Sequence, residues 1–136
     1  MASRDDEPLL RTSYFHVRIG DRELGFAEIT HLTSRTEAER HRFDTVVLRR
    51  ALTRSTELFD WRRRIVDGAE DRRNVTIHQL TGPDGAVANG WRLVGALPIR
   101  WSGPAFNAQA NEVAMEELEL TFEDLVWLEP SGEQGG

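Results

Sequence analysis

The stretch Asn107–Leu125, NAQANEVAMEELELTFEDL, decides how the rest of the chain is read. It opens as a loop of small polar residues and turns into a strict alternation. Leu118, Leu120 and Phe122 fall on one side, and Glu117, Glu119 and Thr121 on the other. An extended backbone sends successive side chains to opposite faces, so this pattern predicts a β-strand with one buried and one wet face. The wet face is acidic and has no nucleophile beside it in sequence. It reads as a surface.

Working outward, the same period recurs. In Tyr14–Gly20, Phe15, Val17 and Ile19 face inward, with His16 and Arg18 outward. Gly20-Asp21-Arg22 is a turn signal, and Glu23 to about Thr36 reads as a second strand carrying Leu24, Phe26 and Ile29, the two making a hairpin. Glu37–Arg42, EAERHR, reads as an exposed connection, and Phe43–Leu52 as a strand with Val46 and Leu48 inward. The period then changes. Leu58, Trp61 and Ile65 recur at helical spacing, with Phe59 and Val66 widening the stripe, Ser55 placed as N-cap and Gly68 as terminator.

Strands resume over Arg73–Leu80 and from Val87 to about Arg100, joined by the turn Gly82-Pro83-Asp84-Gly85. Pro98 cannot donate to a ladder, so it marks an edge, a bulge or a strand end. The expected fold is mainly β: a β-sandwich or small barrel of about six strands with one flanking α-helix. Residues 1–12 read as a flexible N-terminal arm, 13–128 as the folded domain and 129–136 as a disordered tail.

Composition narrows the function. A chain of 136 residues, 39% hydrophobic and 29% charged, supports a single globular core. A net charge of -6 argues against a surface built to neutralise phosphates. Arginine concentrates between Arg35 and Arg73 and acid from Glu112 onward, a polarity that suits head-to-tail docking of copies. The absence of cysteine excludes disulfides, zinc–thiolate sites and thiol catalysis, and is compatible with cytoplasmic assembly. No apolar run reaches the ~20 residues of a membrane span, and MASRDDEPLL has no secretory pattern.

Catalytic constellations are wanting. His16, His31, His41 and His78 show no metal-ligand spacing. Glu117 and Glu119 share a strand face at about 7 Å, a separation open to acid/base work, but a solvated face explains them better. Arg62-Arg63-Arg64 splay around one helical turn, and no phosphate loop, dinucleotide fingerprint or serine elbow occurs. Trp61 and Trp91 read as core, Trp101 and Trp127 as core-edge or interface aromatics. No cofactor is implied, and nothing supports an enzyme.

Four stretches, taken in order, resemble the tube proteins of contractile phage tails. FHVRIGDRELGFAEITHL (Phe15–Leu32) is similar to their opening strands, with glycine and phenylalanine in the second. LRRALTRSTELFDW (Leu48–Trp61) resembles their strand-to-helix element ending in tryptophan. RRNVTIHQLTGPDGAV (Arg72–Val87) is similar to the strand and turn that follow. WRLVGALPIRWSGPAFNAQANEVAMEELELTFEDL (Trp91–Leu125) resembles their C-terminal signature of Gly-Pro, Asn-Ala and Asn-x-Val-Ala before an alternating strand. The resemblance spans about residues 14–128.

It implies a non-catalytic structural subunit forming a ring, a hexamer by analogy. Rings stack into the inner tube of a contractile phage tail or phage-like contractile injection system. The implied partners are copies of itself, stacked rings, sheath, and baseplate or spike proteins. Cargo or DNA would only pass through the lumen, and this chain would insert in no membrane. Assembly is expected in the cytoplasm and the product in a virion tail or injection particle. His16, Arg18, Glu117, Glu119 and Thr121 are the candidate lumen- or interface-facing residues. The family's long hairpin after the second strand is reduced here to Glu37–Arg42. That departure keeps open a specialised initiator or adaptor ring joining tube to baseplate or spike. A monomeric ligand-binding β-barrel and an enzyme using the acidic strand are the readings from other classes.

Overall fold

Alternation becomes pairing where a turn lets the chain reverse. In the computed structural model, which describes residues 9–30, 32–37, 40–43 and 45–129, β1 (Phe15–Ile19) folds back on β2 (Arg22–Leu24). Of the two loop residues only Gly20 has a positive φ, at 60°. A glycine first and an ordinary residue second is the type II′ pattern, whose twist matches that of paired strands.

The segment expected as one strand from Glu23 to Thr36 is broken into β2, β3 (Glu28–Ile29) and β4 (Ser34–Glu37). The reason is a change of partner. β2 pairs with β1, whereas β3 pairs with β6 (Val46–Ala51), and the amides of Ala27 and Thr30 donate to the carbonyls of Arg49 and Val47. Glu37–Arg42 is likewise not a simple connection, because β4 pairs antiparallel with β5 (Arg40–Phe43). Such a ladder is held by backbone groups and needs no apolar face, so a search for buried faces passes over it. The strand expected over Phe43–Leu52 is therefore shared between β5 and β6.

The helix α1 (Glu57–Val66) follows, then β7 (Arg73–Leu80), β8 (Val87–Ser102), β9 (Met115–Thr121) and β10 (Asp124–Leu128). That makes ten strands among the described residues rather than about six. The main path runs β2-β1-β7-β8-β9-β6-β3, with β10 also on β8, and it does not close.

β8 has 16 residues and belongs to two sheets. Its first half lies between β7 and β10, and Leu97–Ser102 pairs with β9. Two irregularities separate the halves. Gly95 takes φ 63°, and the register shifts between Pro98 and Arg100. Pro98 thus marks a bulge, where its missing donor does no harm. The Gly95 amide donates to Asn74 Oδ1 (3.1 Å), and its carbonyl accepts from Arg72 (2.8 Å).

The stretch read as one final strand, Asn107–Leu125, accordingly contains β9 and the start of β10, with a break at Phe122-Glu123. It follows β8 across the kink: Leu97 faces Thr121, Val94 faces Asp124, and the Glu123 amide donates to the Val94 carbonyl (2.8 Å). Inward positions are even in β9 (Leu118, Leu120) and odd in β10 (Leu125). The break resets the parity so that both halves face one core.

That core joins Val17, Val75 and Leu93 of the first sheet to Val46, Leu48, Leu118 and Leu120 of the second. Leu58 and Trp61 of α1 complete it, and the Trp61 indole donates to the Asp71 carbonyl (2.8 Å). Phe59 and Val66, expected to widen the helical stripe, are exposed. The helix touches β8 along a narrow line, where Arg62 donates to the Pro98 carbonyl (3.2 Å). The N-cap position of α1 is Thr56, which makes no side-chain cap bond and whose hydroxyl reaches Asp60 (2.8 Å), while Ser55, one residue earlier than a cap, still accepts the first-turn Glu57 amide on its hydroxyl (3.4 Å). Gly68 terminates the helix as expected, at φ 94°, with Gly68 N–H on Ile65 O and Ala69 N–H on Arg64 O. These are the two bonds of a Schellman motif. Leu9–Thr12 are exposed, while the rest of the expected arm (1–8) and all of the expected tail beyond Glu129 lie outside the described residues.

Candidate functional site: a charge-paired sheet face

Strand register assembles a polar row on the outward side of the second sheet. Arg49 lies opposite Glu28 and Glu117, and Glu119 opposite Arg100. The side chains then link across strands. Arg49 reaches Glu28 (3.9 Å) and Glu117 (3.3 Å), and Arg100 reaches Glu117 (3.5 Å) and Glu119 (2.8 Å). Thr45 donates its hydroxyl to the other Glu119 oxygen. Opposite charges placed across an antiparallel ladder stabilise it modestly, and here they also cancel one another's field.

The electrostatics decide what Glu119 can do. The Thr45 hydroxyl, followed by the Arg100 guanidinium, holds its carboxyl below the usual range, and Arg100 is raised in turn, chiefly by Glu119. A general acid or base at neutral pH requires the opposite shift, toward the working pH. Glu119 is a fixed anion in a paired network.

Thr121 extends this row, opposite Leu97. His16 and Arg18 lie elsewhere, on the outward side of the first sheet, where His16 faces His78 and Arg18 faces Thr76. The two imidazoles meet edge to face at 4.9 Å, and His16 Nδ1 is 3.7 Å from Glu23. The structure therefore brings Glu117, Glu119 and Thr121 together but sets His16 and Arg18 apart from them, across the core. Arg62, Arg63 and Arg64 splay as read, toward Pro98, Asp67 and Asp71 respectively. Among the described residues no group of three or more acidic or histidine side chains could hold a metal ion. No helix among them is long and apolar enough to cross a membrane.

A pair missed in the sequence lies behind this face. Arg50 and Glu116 are buried opposite one another and joined Nε to Oε2 at 2.8 Å. The Trp101 indole donates to the other Glu116 oxygen (2.8 Å), Glu57 approaches Arg50 at 3.5 Å, and the guanidinium lies 5.6 Å over the Phe26 ring. The signal was parity. Glu116 shares its side of β9 with Leu118 and Leu120, and Arg50 shares its side of β6 with Val46 and Leu48. Charge at equivalent positions of two apolar faces announces a buried ion pair. Among the tryptophans, Trp61 is fully buried, Trp91 and Trp101 are half-buried, and Trp127 packs its ring on Trp91 (4.9 Å) while remaining 62% exposed.

The loop 103–114 closes one end of the charged row. Asn107 organises it, accepting from the Gln109 amide on its side chain and from the Ala110 amide on its carbonyl, both at 3.0 Å.

Solved structures share this fold. A chain of an extracellular contractile injection system, from the PVC sheath–tube complex in the extended state, is 18% identical with a TM-score of 0.73; 94% of this chain and 99% of that one are covered. A chain from the baseplate of the anti-feeding prophage is 20% identical at TM-score 0.73, covering 90% and 97%. Hcp1 from Flavobacterium johnsoniae is 13% identical at TM-score 0.63, covering 84% and 94%. No curated protein sequence matches significantly. The family described as T4-like virus tail tube protein gp19 matches residues 38–126, from β5 into β10, and so takes in every strand of the charge-paired face except β3. With well over half of its length matched, the chain belongs to the T4-like virus tail tube protein family.

Proposed function

We propose that this protein is a structural subunit of the inner tube of a contractile phage tail or phage-like injection system, acting as a hexameric ring without catalysis. The family match over residues 38–126 carries the reading. The paired state of the acidic row supports its non-enzymatic side, since its carboxylates are engaged by arginine. Rings would stack, contact sheath and baseplate proteins, and be built in the cytoplasm before joining a tail or injection particle.

His16 and Arg18 occupy a different face from Glu117, Glu119 and Thr121, and one bore takes one face. We assign the lumen to the second sheet. A row of alternating, mutually neutralised charges stays hydrated yet offers passing cargo or DNA little net field to adhere to. His16 and Arg18 then belong to the interface-facing group.

Size-exclusion chromatography with light scattering, followed by negative-stain microscopy, tests the assembly. Rings or tubes are expected; a protein monomeric under all conditions, with and without baseplate partners, would refute it. The same experiment separates the second reading, an initiator or adaptor ring, which the brevity of β4 and β5 (four residues each) favours. Self-stacking tubes indicate the main subunit, whereas rings that stack only on a baseplate indicate the adaptor.

A further inference from the structure

Arg18, Thr76 and Arg92 stand in one row across the outward side of the first sheet, since Arg18 is opposite Thr76 and Thr76 opposite Arg92. At ~4.8 Å between neighbouring strands, the two arginines start about 10 Å apart with the threonine between them. Arg92 donates to Thr76 Oγ1 (3.4 Å). That bond occupies a lone pair of a hydroxyl whose residue is only 7% exposed, and it leaves the hydroxyl proton for an acceptor above the sheet. The next row along carries His16 and His78, not a carboxylate.

These two arginines differ from those of the second sheet. Arg49, Arg50 and Arg100 each hold a glutamate in an ion pair, whereas among the described residues neither Arg18 nor Arg92 is in one. Acid borders the row without neutralising it. Glu23 is opposite Arg18 on β2 but approaches His16 (3.7 Å), and Asp124 lies on β10 opposite Val94, two residues along β8 from Arg92. A chain of net charge -6 thus keeps two unpaired cations side by side on one sheet face. A carboxylate supplies what they lack: a planar guanidinium takes its two oxygens through parallel N–H bonds, and the threonine proton adds a further contact.

We infer that this row is a docking site for an acidic segment of a partner protein, whose carboxylates Arg18 and Arg92 grip on either side of the Thr76 hydroxyl. Its place in an assembly rests on the tube reading, which puts Arg18 at an interface; the binding itself does not. A phosphate backbone fits the row less well. It needs a track of cations, and here the row ends against Glu23 on one side and the apolar Val126 on the other, on a chain whose net charge repels it.

Hexaglutamate is the probe. Titrated into isotope-labelled protein at a concentration where light scattering finds single copies, it is expected to shift the amide NMR signals of Arg18, Thr76, His78 and Arg92 above all others. Arg18→Gln with Arg92→Gln is expected to weaken binding at least tenfold, and Thr76→Val about threefold. Arg54→Gln with Arg63→Gln, which removes the same charge from exposed positions elsewhere, is expected to weaken it less than about twofold. An equal loss in the two double variants means general attraction and overturns the inference. Hexathymidylate bound more tightly than hexaglutamate at the same amides makes the row a phosphate site and overturns it too. Binding that appears only after Asp5→Asn, Asp6→Asn and Glu7→Gln gives the row to the chain's own N-terminus, again against the inference. Rings formed by a protein that does not bind hexaglutamate overturn the inference and leave the tube reading standing. Hexaglutamate binding by a protein that never assembles supports the inference and removes the tube reading.

Discussion

Glu116 is a carboxylate only 1% exposed, and its two oxygens are divided between Arg50 and Trp101. Removing one member of a buried ion pair strands the other. Glu116→Ala is expected to destabilise the fold by about 3 kcal/mol, the low end of the usual range because Glu57 still approaches Arg50. Replacing both, as Arg50→Met with Glu116→Leu, is expected to cost much less, and urea unfolding of the three variants measures the difference. A second carboxylate sets an acid limit. Asp71 accepts from Arg73 through both oxygens (3.0 and 2.8 Å) and from Arg64 (2.8 Å), and the Arg73 hydrogen bond leads in lowering its pKa from 3.8 to about 2. Its native pKa is depressed, so its contribution is complete above about 3.8 and fades as pH falls toward about 2. We expect about 1–2 kcal/mol after solvent screening, absent in Asp71→Asn when stability is followed between those values. At this scale the sequence carries a sign wherever polarity contradicts position, as with Glu116 among leucines, although alternation alone passed over it. Asp71 gave no such sign, because a carboxylate in a polar connection with an arginine two residues on reads as solvated, and Arg64 joins it only when the end of α1 folds back.

Elements were legible where a segment stays within one sheet and is bounded by clear turns, as β7 is between β1 and β8. Arg73–Leu80, Gly68 and the Gly82–Gly85 turn stand where the pattern put them. Glu23–Thr36 and Asn107–Leu125 did not, because each passes from one sheet to the other and a periodicity cannot show a change of neighbour. Gly95 is the hinge of that passage. Its φ of 63° disfavours any side chain, and a methyl there would collide with the Glu123 carboxylate. Gly95→Ala is expected to cost about 1–2 kcal/mol. Adding Glu123→Ala should relieve the collision and leave the backbone share, which thermal unfolding of the double variant isolates. Gly68→Ala, strained only in its backbone at φ 94°, is expected to lose about 1 kcal/mol by the same measurement.

Across the whole molecule, the charge-paired face sets a prediction about salt. Its ion pairs are partly exposed, so they are expected to add little to stability, and raising ionic strength should shift the thermal midpoint only slightly. Reversing one sign, as in Arg100→Glu, would place three carboxylates side by side and is expected to lower the midpoint most at low salt. The candidate face itself was half legible: alternation found Glu117 and Glu119, but their arginine partners sit on strands far away in sequence. The two-sheet design has a mechanical consequence as well. Since β8 runs through both sheets with β9 and β10 alongside it, a pull along its length loads the flanking hydrogen bonds in parallel, as shear, instead of peeling them one at a time. The strand acts as a tie rod running through both sheets, stiffer to a pull along its length than to bending across it.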